Sequence, residues 1–251
     1  MKVVIIGGTG LVGSKLAATL RSQGHEVIAA SPNTGVNTLT GEGLAEALIG
    51  ADTVVDVSNS PSFEDNAVLD FFQTSTRNQL AAEKVANVKH HVALSIVGSE
   101  RLPASGYLRA KVAQENLIKM GEIPYSILRS TQFFEFAKAI AQSATQGSEV
   151  HVPDAYIQPI ATDDLIPVLA GIATAAASNR VVEIGGPEKF RFAEWMRKFL
   201  SLTSDSRGVI TDPQSRYFGT QLHGAELTAG DDSFKGTTTY NEWFKSQAVP
   251  A

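Results

Sequence analysis

Two side chains that can move a proton stand four residues apart in this chain, Tyr107 and Lys111. Residues with this spacing share one face of a helix, so the phenol and the ammonium are predicted to be neighbours. A phenol has an ordinary pKa of about 10 and is a poor acid or base at neutral pH. Because a nearby ammonium favours the phenolate, we expect the pKa of Tyr107 to be lowered. Tyr107 can then give a proton to a carbonyl oxygen, or take one from an alcohol, while hydride moves.

A serine hydroxyl is placed to assist this pair. Ser95 lies at the end of the fourth strand predicted for the sheet and can hydrogen-bond the oxygen of a substrate. Ser99, a few residues further along, is a competing candidate for the same task. A purely structural hydroxyl at Ser95 is the alternative for that position.

The first thirteen residues form a second chemical signal, a turn suited to phosphate. The apolar run Val3–Ile6 breaks into glycines spaced three apart, and a helical pattern follows at once. A helix N-terminus attracts phosphate, and glycine lets a pyrophosphate approach the backbone. A glycine turn with only a structural purpose is the alternative. The residues predicted to bind a dinucleotide here are Gly7, Thr9, Gly10, Leu11, Val12 and Gly13.

The choice between NADP and NAD depends on the end of the second strand. An acidic residue there would bind a ribose 2′-hydroxyl and repel a 2′-phosphate, and none is present. Ser31 and Asn33 can donate hydrogen bonds to a phosphate, so NADP(H) is favoured and NAD(H) stays open. Asp56 ends the third strand, and Ser58 and Asn59 follow it; this segment is either ordinary loop or a cofactor contact.

Strand-like and helical stretches alternate through most of the chain, which predicts an α/β fold. The predicted strands are Val3–Ile6, Glu26–Ala30, Thr53–Val57, His91–Val97, Tyr125–Leu128 and Val181–Ile184. The predicted helices are Leu11–Ser22, Leu44–Ile49, Asp65–Ala86, Leu108–Met120, Glu135–Thr145 and Asp164–Ala176. We expect a Rossmann-type doubly wound parallel sheet with a small C-terminal substrate-binding region, and ligands at the carboxyl ends of the strands near the switch point.

The alternation of strands and helices becomes less regular after Arg129. Arg129 itself ends a strand and is expected to form a structural ion pair. Asp163–Asp164 is interpreted as a helix N-cap. The last part of the chain is rich in aromatic residues, which predicts a packing lobe and, collectively, a wall of the substrate pocket. We therefore expect residues 1–251 to form one NAD(P)-binding Rossmann domain, with substrate-lobe excursions at about 131–160 and 187–251.

Composition narrows the function further. Twenty-six acidic residues against twenty-one basic ones, with no basic run, argue against nucleic acid as a partner. The chain has no cysteine, and its five histidines show no metal-binding spacing, so no metal site is expected. No targeting or membrane-spanning stretch is found, which predicts a cytoplasmic protein without a membrane partner. The expected partner is a small-molecule substrate. The long helix Asp65–Ala86 offers a surface for a homodimer.

Taken together, these motifs resemble the short-chain dehydrogenase/reductase superfamily, and most of all its atypical NmrA-like branch. The segments that carry the resemblance are residues 7–13, Ser95, Tyr107 with Lys111, residues 123–135, residues 158–164 and residues 183–187. The resemblance implies a Rossmann domain that binds NAD(P), with Tyr107 as acid or base and Lys111 holding the nicotinamide ribose. It also implies that Ser95 orients the substrate and that Thr131 and Phe133 lie near the nicotinamide.

Three functions are compatible with this sequence. The leading one is an NAD(P)H-dependent oxidoreductase that reduces a carbonyl, a quinone or a related small molecule. Many NmrA-like proteins lack the tyrosine and sense nucleotides without turnover, and the presence of Tyr107 favours an enzyme over such a regulator. An isomerase or epimerase with tightly held cofactor is the third.

Overall fold

The computed structural model describes residues 1–247. In chain order its strands and α-helices are β1 (Lys2–Ile6), α1 (Leu11–Ser22), β2 (Glu26–Ala30), α2 (Leu44–Leu48), β3 (Thr53–Asp56), α3 (Asp65–Ala86), β4 (His90–Ile96), α4 (Gly106–Met120), β5 (Tyr125–Ser130), α5 (Ala137–Ser143), β6 (Thr145–Gln146), β7 (Glu149–Val152), β8 (Tyr156–Ile157), α6 (Thr162–Thr174), β9 (Arg180–Gly185), β10 (Phe190–Arg191), α7 (Phe192–Leu202), β11 (Gly208–Thr211), β12 (Phe234–Lys235) and α8 (Tyr240–Gln247).

A seven-stranded sheet in the order β12-β9-β5-β4-β3-β1-β2 organises the fold. The pairs β1–β2, β1–β3, β3–β4 and β9–β12 are parallel. From β1 the chain builds first to one side, through β2, and then to the other, through β3. This reversal beside β1 is the switch point of a doubly wound sheet. The predicted Rossmann-type α/β fold is confirmed.

The sheet forms where the sequence is apolar and β-branched. Val3, Val4 and Ile5 are completely buried in β1, as a strand covered on both faces requires. One apolar cluster joins β1 and β3 to α2, with Val4, Val54 and Leu48 at its centre. The predicted strands of the main sheet and the first four predicted helices all lie within two residues of the observed bounds.

Two predicted helices differ from the observed ones. The predicted helix Glu135–Thr145 is a 3₁₀ turn, Phe134–Phe136, followed by α5. The helix predicted at Asp164–Ala176 begins two residues earlier, at Thr162. Asp163 and Asp164 therefore lie in its first turn and not at the N-cap. Asp164 accepts hydrogen bonds from the backbone N–H groups of Thr237 and Thr238, both at 2.8 Å, so it holds a distant loop.

The chain divides into two compact units. Unit 1 contains residues 1–95, 106–129 and 166–182, and unit 2 contains residues 96–105, 130–165 and the part from Glu183 onward. Within residues 1–247, every helix is too short or too polar to pass through a lipid bilayer.

Unit 2 is packed around aromatic rings, as predicted for its lobe. Tyr240 lies at the centre, with ring centroids 4.9 Å from Phe134, 5.9 Å from Trp195 and 5.7 Å from Trp243. Trp195 and Tyr240 are completely buried. Unit 2 also contains the short strands β6, β7, β8, β10 and β11 and the helix α7, which are absent from the predicted elements.

Candidate functional site

The turn between β1 and α1 consists of glycines that the fold requires. Gly7 has a φ of +79°, in the left-handed region that glycine tolerates. A Cβ on Gly13 would lie 2.2 Å from the carbonyl oxygen of Gly7, and one on Gly8 would lie 2.5 Å from the Cα of Ala29. The N–H groups of Gly7 and Gly8 donate to the carbonyl oxygen of Ala30 at 3.0 and 3.1 Å. The turn is therefore held tightly against the end of β2.

The beginning of α1 fits a phosphate group. Gly10 is its N-cap residue, and the first turn contains no acidic side chain. Among the atoms of residues 1–247, a Cβ on Gly10 would meet only the Gly7 carbonyl oxygen, at 3.3 Å. Thr9 and Leu11 are exposed here, whereas Val12 is buried and can offer only its backbone. The first N–H groups of a helix have no partner inside it and carry the positive end of its dipole.

The glycine turn lies against the loop that follows β3. A Cβ on Gly7 would be 2.8 Å from both the Cα and the N of Ser58. Because β1 and β3 are neighbours on either side of the switch point, these residues meet at the carboxyl edge of the sheet, where doubly wound folds bind ligands. The structure thus brings Ser58, a predicted cofactor contact, to the glycine turn.

The end of β2 has neutral polar side chains where an acidic one would discriminate between the nucleotides. Ser31 is buried, and its N–H donates to the Oγ1 of Thr34 at 2.9 Å, at the start of a 3₁₀ turn. Asn33 is exposed in that turn. Contact of Ser31 or Asn33 with a 2′-phosphate stays a prediction.

Tyr107 lies at the beginning of α4, half-buried, with its ring against Phe63 and Phe72 at centroid distances of 5.3 and 6.3 Å. Its hydroxyl donates to the Oδ1 of Asn59 at 3.1 Å. Burial raises the pKa of Tyr107 to about 12, although the hydrogen bond to Asn59 opposes this shift. The expected lowering of the pKa of this phenol is therefore wrong, because burial raises that pKa.

The ammonium of Lys111 makes its hydrogen bonds with groups other than the Tyr107 phenol. Nζ donates to the carbonyl oxygen of Leu94 at 2.9 Å and to the Oε1 of Gln114, and it lies 4.4 Å from the centre of the Phe72 ring. The side chain is 3% exposed. Burial lowers the pKa of Lys111 to about 8, against the opposing effect of the Asp56 and Glu115 carboxylates. Spacing on the helix placed the two residues on one face but did not decide their partners.

Ser95 has a partner that the sequence analysis did not anticipate. Its hydroxyl donates to the Oε1 of Glu115 at 2.7 Å, in the interior. Arg129 donates to both oxygens of the same carboxylate at 2.8 Å, and Lys119 donates to one of them at 2.9 Å. The predicted structural ion pair of Arg129 is thus present. With its only proton given to Glu115, Ser95 resembles the structural alternative, and its role toward a substrate stays a prediction.

The remaining predicted site residues belong to unit 2. Ser99 is buried and donates through Oγ to the carbonyl oxygen of Ile96 at 2.8 Å. Thr131 is 4% exposed, and its N–H donates to the carbonyl oxygen of Ile184 at 3.0 Å. Phe133 packs on Phe136 with ring centroids 5.9 Å apart. The roles of these three residues stay predictions.

Sequence reasoning missed a buried polar cluster next to Lys111. Asp56, Gln79 and Gln114 are each at most 1% exposed. They come from β3, α3 and α4, which are far apart in the chain, so no local pattern connects them. A sequence signal for the two glutamines does exist: each is a polar residue at a position that the helical periodicity assigns to the buried face of its helix. Within residues 1–247, the histidine and acidic side chains form no group that could hold a metal ion.

Comparison with known proteins identifies a matching family model for the first part of the chain. Residues 3–120 match the model of the NAD dependent epimerase/dehydratase family. The photosystem II assembly factor Ycf39 of Cyanophora paradoxa is 24% identical over 149 residues, covering 54% of this chain and 46% of the relative. Ycf39 of Synechocystis sp. matches to the same extent. The matched part of the chain thus spans about half the length of these curated relatives.

Solved structures share the fold along the whole chain. MoeE5 in complex with UDP-glucose and NAD superposes with a TM-score of 0.76 at 17% identity, covering 98% of this chain and 97% of that one. The dTDP-4-dehydrorhamnose reductase of Bacillus anthracis, in complex with NADP, has a TM-score of 0.76 at 14% identity, covering 99% of each chain. A short-chain dehydrogenase/reductase superfamily protein of Agrobacterium tumefaciens with bound NAD has a TM-score of 0.72 at 18% identity, covering 98% and 95%.

These matches confirm the resemblance at the level of the superfamily. They do not distinguish the NmrA-like branch, which stays a prediction. Residues 3–120 carry the pattern of the NAD dependent epimerase/dehydratase family, and the chain has the fold of the NAD(P)-binding short-chain dehydrogenase/reductase superfamily.

Proposed function

We propose that this protein is an NAD(P)H-dependent oxidoreductase that reduces a carbonyl, a quinone or a related small molecule, with Tyr107 as proton donor. One chain of contacts carries the proposal. The glycine turn packs on Ser58, Asn59 follows in the same loop, and the Asn59 side-chain oxygen accepts a hydrogen bond from the Tyr107 hydroxyl. A proton donor therefore stands beside the turn that fits the phosphates of a dinucleotide.

The state of Tyr107 suits reduction. With a pKa of about 12 its phenol is protonated at neutral pH, which a proton donor requires, but burial also makes it a weaker acid than an ordinary phenol. A bound reduced nicotinamide supplies hydride, two electrons with one hydrogen, to the substrate carbon. Tyr107 gives its proton to the substrate oxygen, which becomes a hydroxyl, and recovers a proton from solvent.

Lys111 is proposed to hold the ribose of the nicotinamide. An ammonium has three N–H donors, and two of them serve Leu94 and Gln114. Phe72 lies over the ammonium at 4.4 Å, so the proposal requires the third N–H to turn from that ring to a ribose hydroxyl while the other two keep the side chain in one orientation. For the nucleotide we propose NADP(H) ahead of NAD(H), because Ser31 stands where a carboxylate would repel a 2′-phosphate.

A second candidate is a nucleotide-binding assembly or regulatory protein without turnover. The observation that favours it is the match to two proteins named photosystem II assembly factors. A third candidate, an epimerase or dehydratase that retains its cofactor, is favoured by the family whose model matches residues 3–120.

The test begins with the purified protein, whose absorbance spectrum reports any cofactor that copurifies. NADPH and NADH are then titrated by fluorescence, and the protein is screened against carbonyls and quinones. The proposal expects binding of NADPH and its consumption. Copurified cofactor without net consumption would favour the epimerase, and binding without turnover of any substrate would favour the regulator.

The variant Tyr107→Phe tests the proton donor. Loss of a general acid lowers turnover by about 10²- to 10⁴-fold, and the dissociation constant for NADPH should stay within about twofold because the phenol contributes no charge to binding. Tyr125→Phe is the matched control, since Tyr125 loses the same atom but packs on the cluster of Ile118 and Ile127. Unchanged turnover in Tyr107→Phe would remove the assigned role.

A further inference from the structure

A buried carboxylate that the proposed proton transfer does not use lies at the end of β3. Asp56 is 1% exposed, yet its two oxygens accept four hydrogen bonds. Oδ1 accepts from the N–H and the hydroxyl of Ser58, at 2.9 and 2.6 Å. Oδ2 accepts from the Nε2 of Gln79 at 3.0 Å and from the Nε2 of Gln114 at 2.9 Å. Such a full set of donors suits an ionised carboxylate, which accepts and never donates.

One pair of these bonds connects Asp56 to Lys111. The amide of Gln114 gives its NH₂ to Asp56 and therefore turns its oxygen away, and that oxygen accepts from the Lys111 ammonium. A lysine can only donate, so it needs the oxygen of Gln114 and not the nitrogen. The charge of Asp56 thus decides which end of the Gln114 amide faces Lys111.

The other pair of bonds shapes the loop beside the phenol. By accepting both the N–H and the hydroxyl of Ser58, Asp56 fixes the turn that begins the loop. Asn59 comes next and accepts from Tyr107. The same carboxylate therefore holds the loop that contacts Tyr107 and the amide that contacts Lys111.

Asp56 also influences the charge of Lys111. The charged groups that act on this ammonium are Asp56 on β3 and Glu115 on α4, while Phe72 of α3 covers it. On the β4 side, Asp56 acts on His91, whose partner is Glu83 of α3 at 2.8 Å. Burial alone favours a neutral Lys111, and the two carboxylates oppose this tendency.

We infer that Asp56 is a positioning residue, which orients Lys111 through Gln114 and holds the Ser58–Asn59 turn. Its carboxylate also opposes the effect of burial on Lys111. The inference rests on the proposed function, because it gives a purpose to the orientation of Lys111. It goes beyond that function by assigning Asp56 and Gln114, neither of which touches the reacting atoms.

Two glutamine variants separate positioning from simple stability. Gln114→Met and Gln79→Met each remove one hydrogen bond to the same oxygen of Asp56, but only Gln114 also accepts from Lys111. We expect Gln114→Met to weaken NADPH binding by about tenfold, the equivalent of one hydrogen bond to a charged group. Gln79→Met should leave NADPH affinity within about twofold, whatever its effect on stability. Equal losses of affinity in the two variants would overturn the inference.

The variant Asp56→Asn tests the charge directly, without turnover. The ionisation of Lys111 is followed by NMR of ¹³C-labelled lysine in the nucleotide-free protein, with the signal assigned by its loss in Lys111→Met. We expect the midpoint in Asp56→Asn to fall by about one pH unit or more, a tenfold change in the neutral fraction. If the Lys111 ammonium binds the ribose, NADPH affinity should fall as Lys111 loses its proton, and this fall should occur at a lower pH in Asp56→Asn than in the parent.

An unchanged Lys111 midpoint in a folded Asp56→Asn protein would refute the electrostatic part of the inference. If Asp56→Asn does not fold, the comparison of Gln114→Met with Gln79→Met still decides the positioning part. If neither NADPH nor NADH binds the unaltered protein, the proposed function fails, whereas the lysine titration still reports on Asp56.

Discussion

At the scale of single residues, the site shows that sharing a helix face differs from sharing an interaction. Tyr107 and Lys111 are four apart on α4, but the phenol contacts Asn59 and the ammonium contacts Leu94 and Gln114. A buried ammonium needs acceptors, and a phenol hydroxyl competes poorly with a carbonyl oxygen. Lys111 therefore acts on the bound nucleotide in our proposal and does not act through the pKa of Tyr107.

The predicted preference for NADP(H) over NAD(H) can be tested at a single residue, Ser31. Aspartate and asparagine both serve well at an N-cap, the position that Ser31 occupies, so either should fold. Ser31→Asp should weaken NADPH binding by at least tenfold, about 1.4 kcal/mol, because its carboxylate repels the 2′-phosphate, and should leave NADH binding equal or stronger. The neutral Ser31→Asn is the control. Fluorescence titration measures both, and a similar loss for NADPH and NADH would contradict the assignment.

At the scale of secondary structure, α4 is the element that organises the polar interior. Tyr107, Lys111 and Glu115 follow one another at intervals of four, and each takes a partner from another part of unit 1. Glu115 accepts hydrogen bonds from Ser95 of β4 and Arg129 of β5, and these bonds connect α4 to two strands. Burial would raise the pKa of Glu115, but the hydrogen bonds from Arg129, Ser95 and Lys119 outweigh it and hold the pKa at about 2.

This arrangement predicts a pH-dependent stability. The folded pKa of Glu115 lies below its ordinary value of 4.5, so its contribution is complete above about pH 5 and is lost as the pH falls toward 2. At pH 7, Glu115→Gln should lower the free energy of unfolding by about 3 kcal/mol, because Arg129 is left without its carboxylate. Urea denaturation should show the gap between variant and parent narrowing from pH 5 to pH 3.

Glu122→Gln is the control for that series. Glu122 pairs with Lys84 at 2.8 Å, but both side chains are largely exposed, at 75% and 63%. Exposed ion pairs contribute little, so this change should shift the free energy of unfolding by less than about 1 kcal/mol. A constant gap between Glu115→Gln and the parent across the acid range would contradict the assigned pKa.

At the scale of the whole molecule, the proposed nucleotide contacts other than Thr131 and Phe133 lie in unit 1. The glycine turn, the Ser58–Asn59 loop, Tyr107 and Lys111 are all in it, whereas unit 2 is built around the Tyr240 aromatic cluster. We propose that residues 131–160 and 187–251 bind the substrate. That residues 1–251 form one NAD(P)-binding domain also stays a prediction.

Nucleotide binding should therefore stabilise the protein and protect a defined part of it. NADPH at a hundred times its dissociation constant should add about 2.7 kcal/mol to the free energy of unfolding, which corresponds to a rise in Tm of about 5 to 10 °C. Hydrogen exchange should slow most at residues 7–14 and 58–60. Protection confined to unit 2 would contradict the site. At the same NADPH concentration, a tenfold weaker Ser31→Asp protein should lose about half of the shift.

The amino-acid sequence by itself determined six of the seven strands of the main sheet, the first four helices, the glycine turn and the α/β class, whereas β12 was not predicted. These features are local: alternation, helical period and glycine spacing act over a few residues. Only the tertiary structure decided that Ser95 donates to Glu115, that Lys111 turns to Gln114 and that Asp56 gathers four donors. Buried polar groups take whichever partners the packed elements bring within hydrogen-bond distance, and those partners stand up to 58 positions away in the chain.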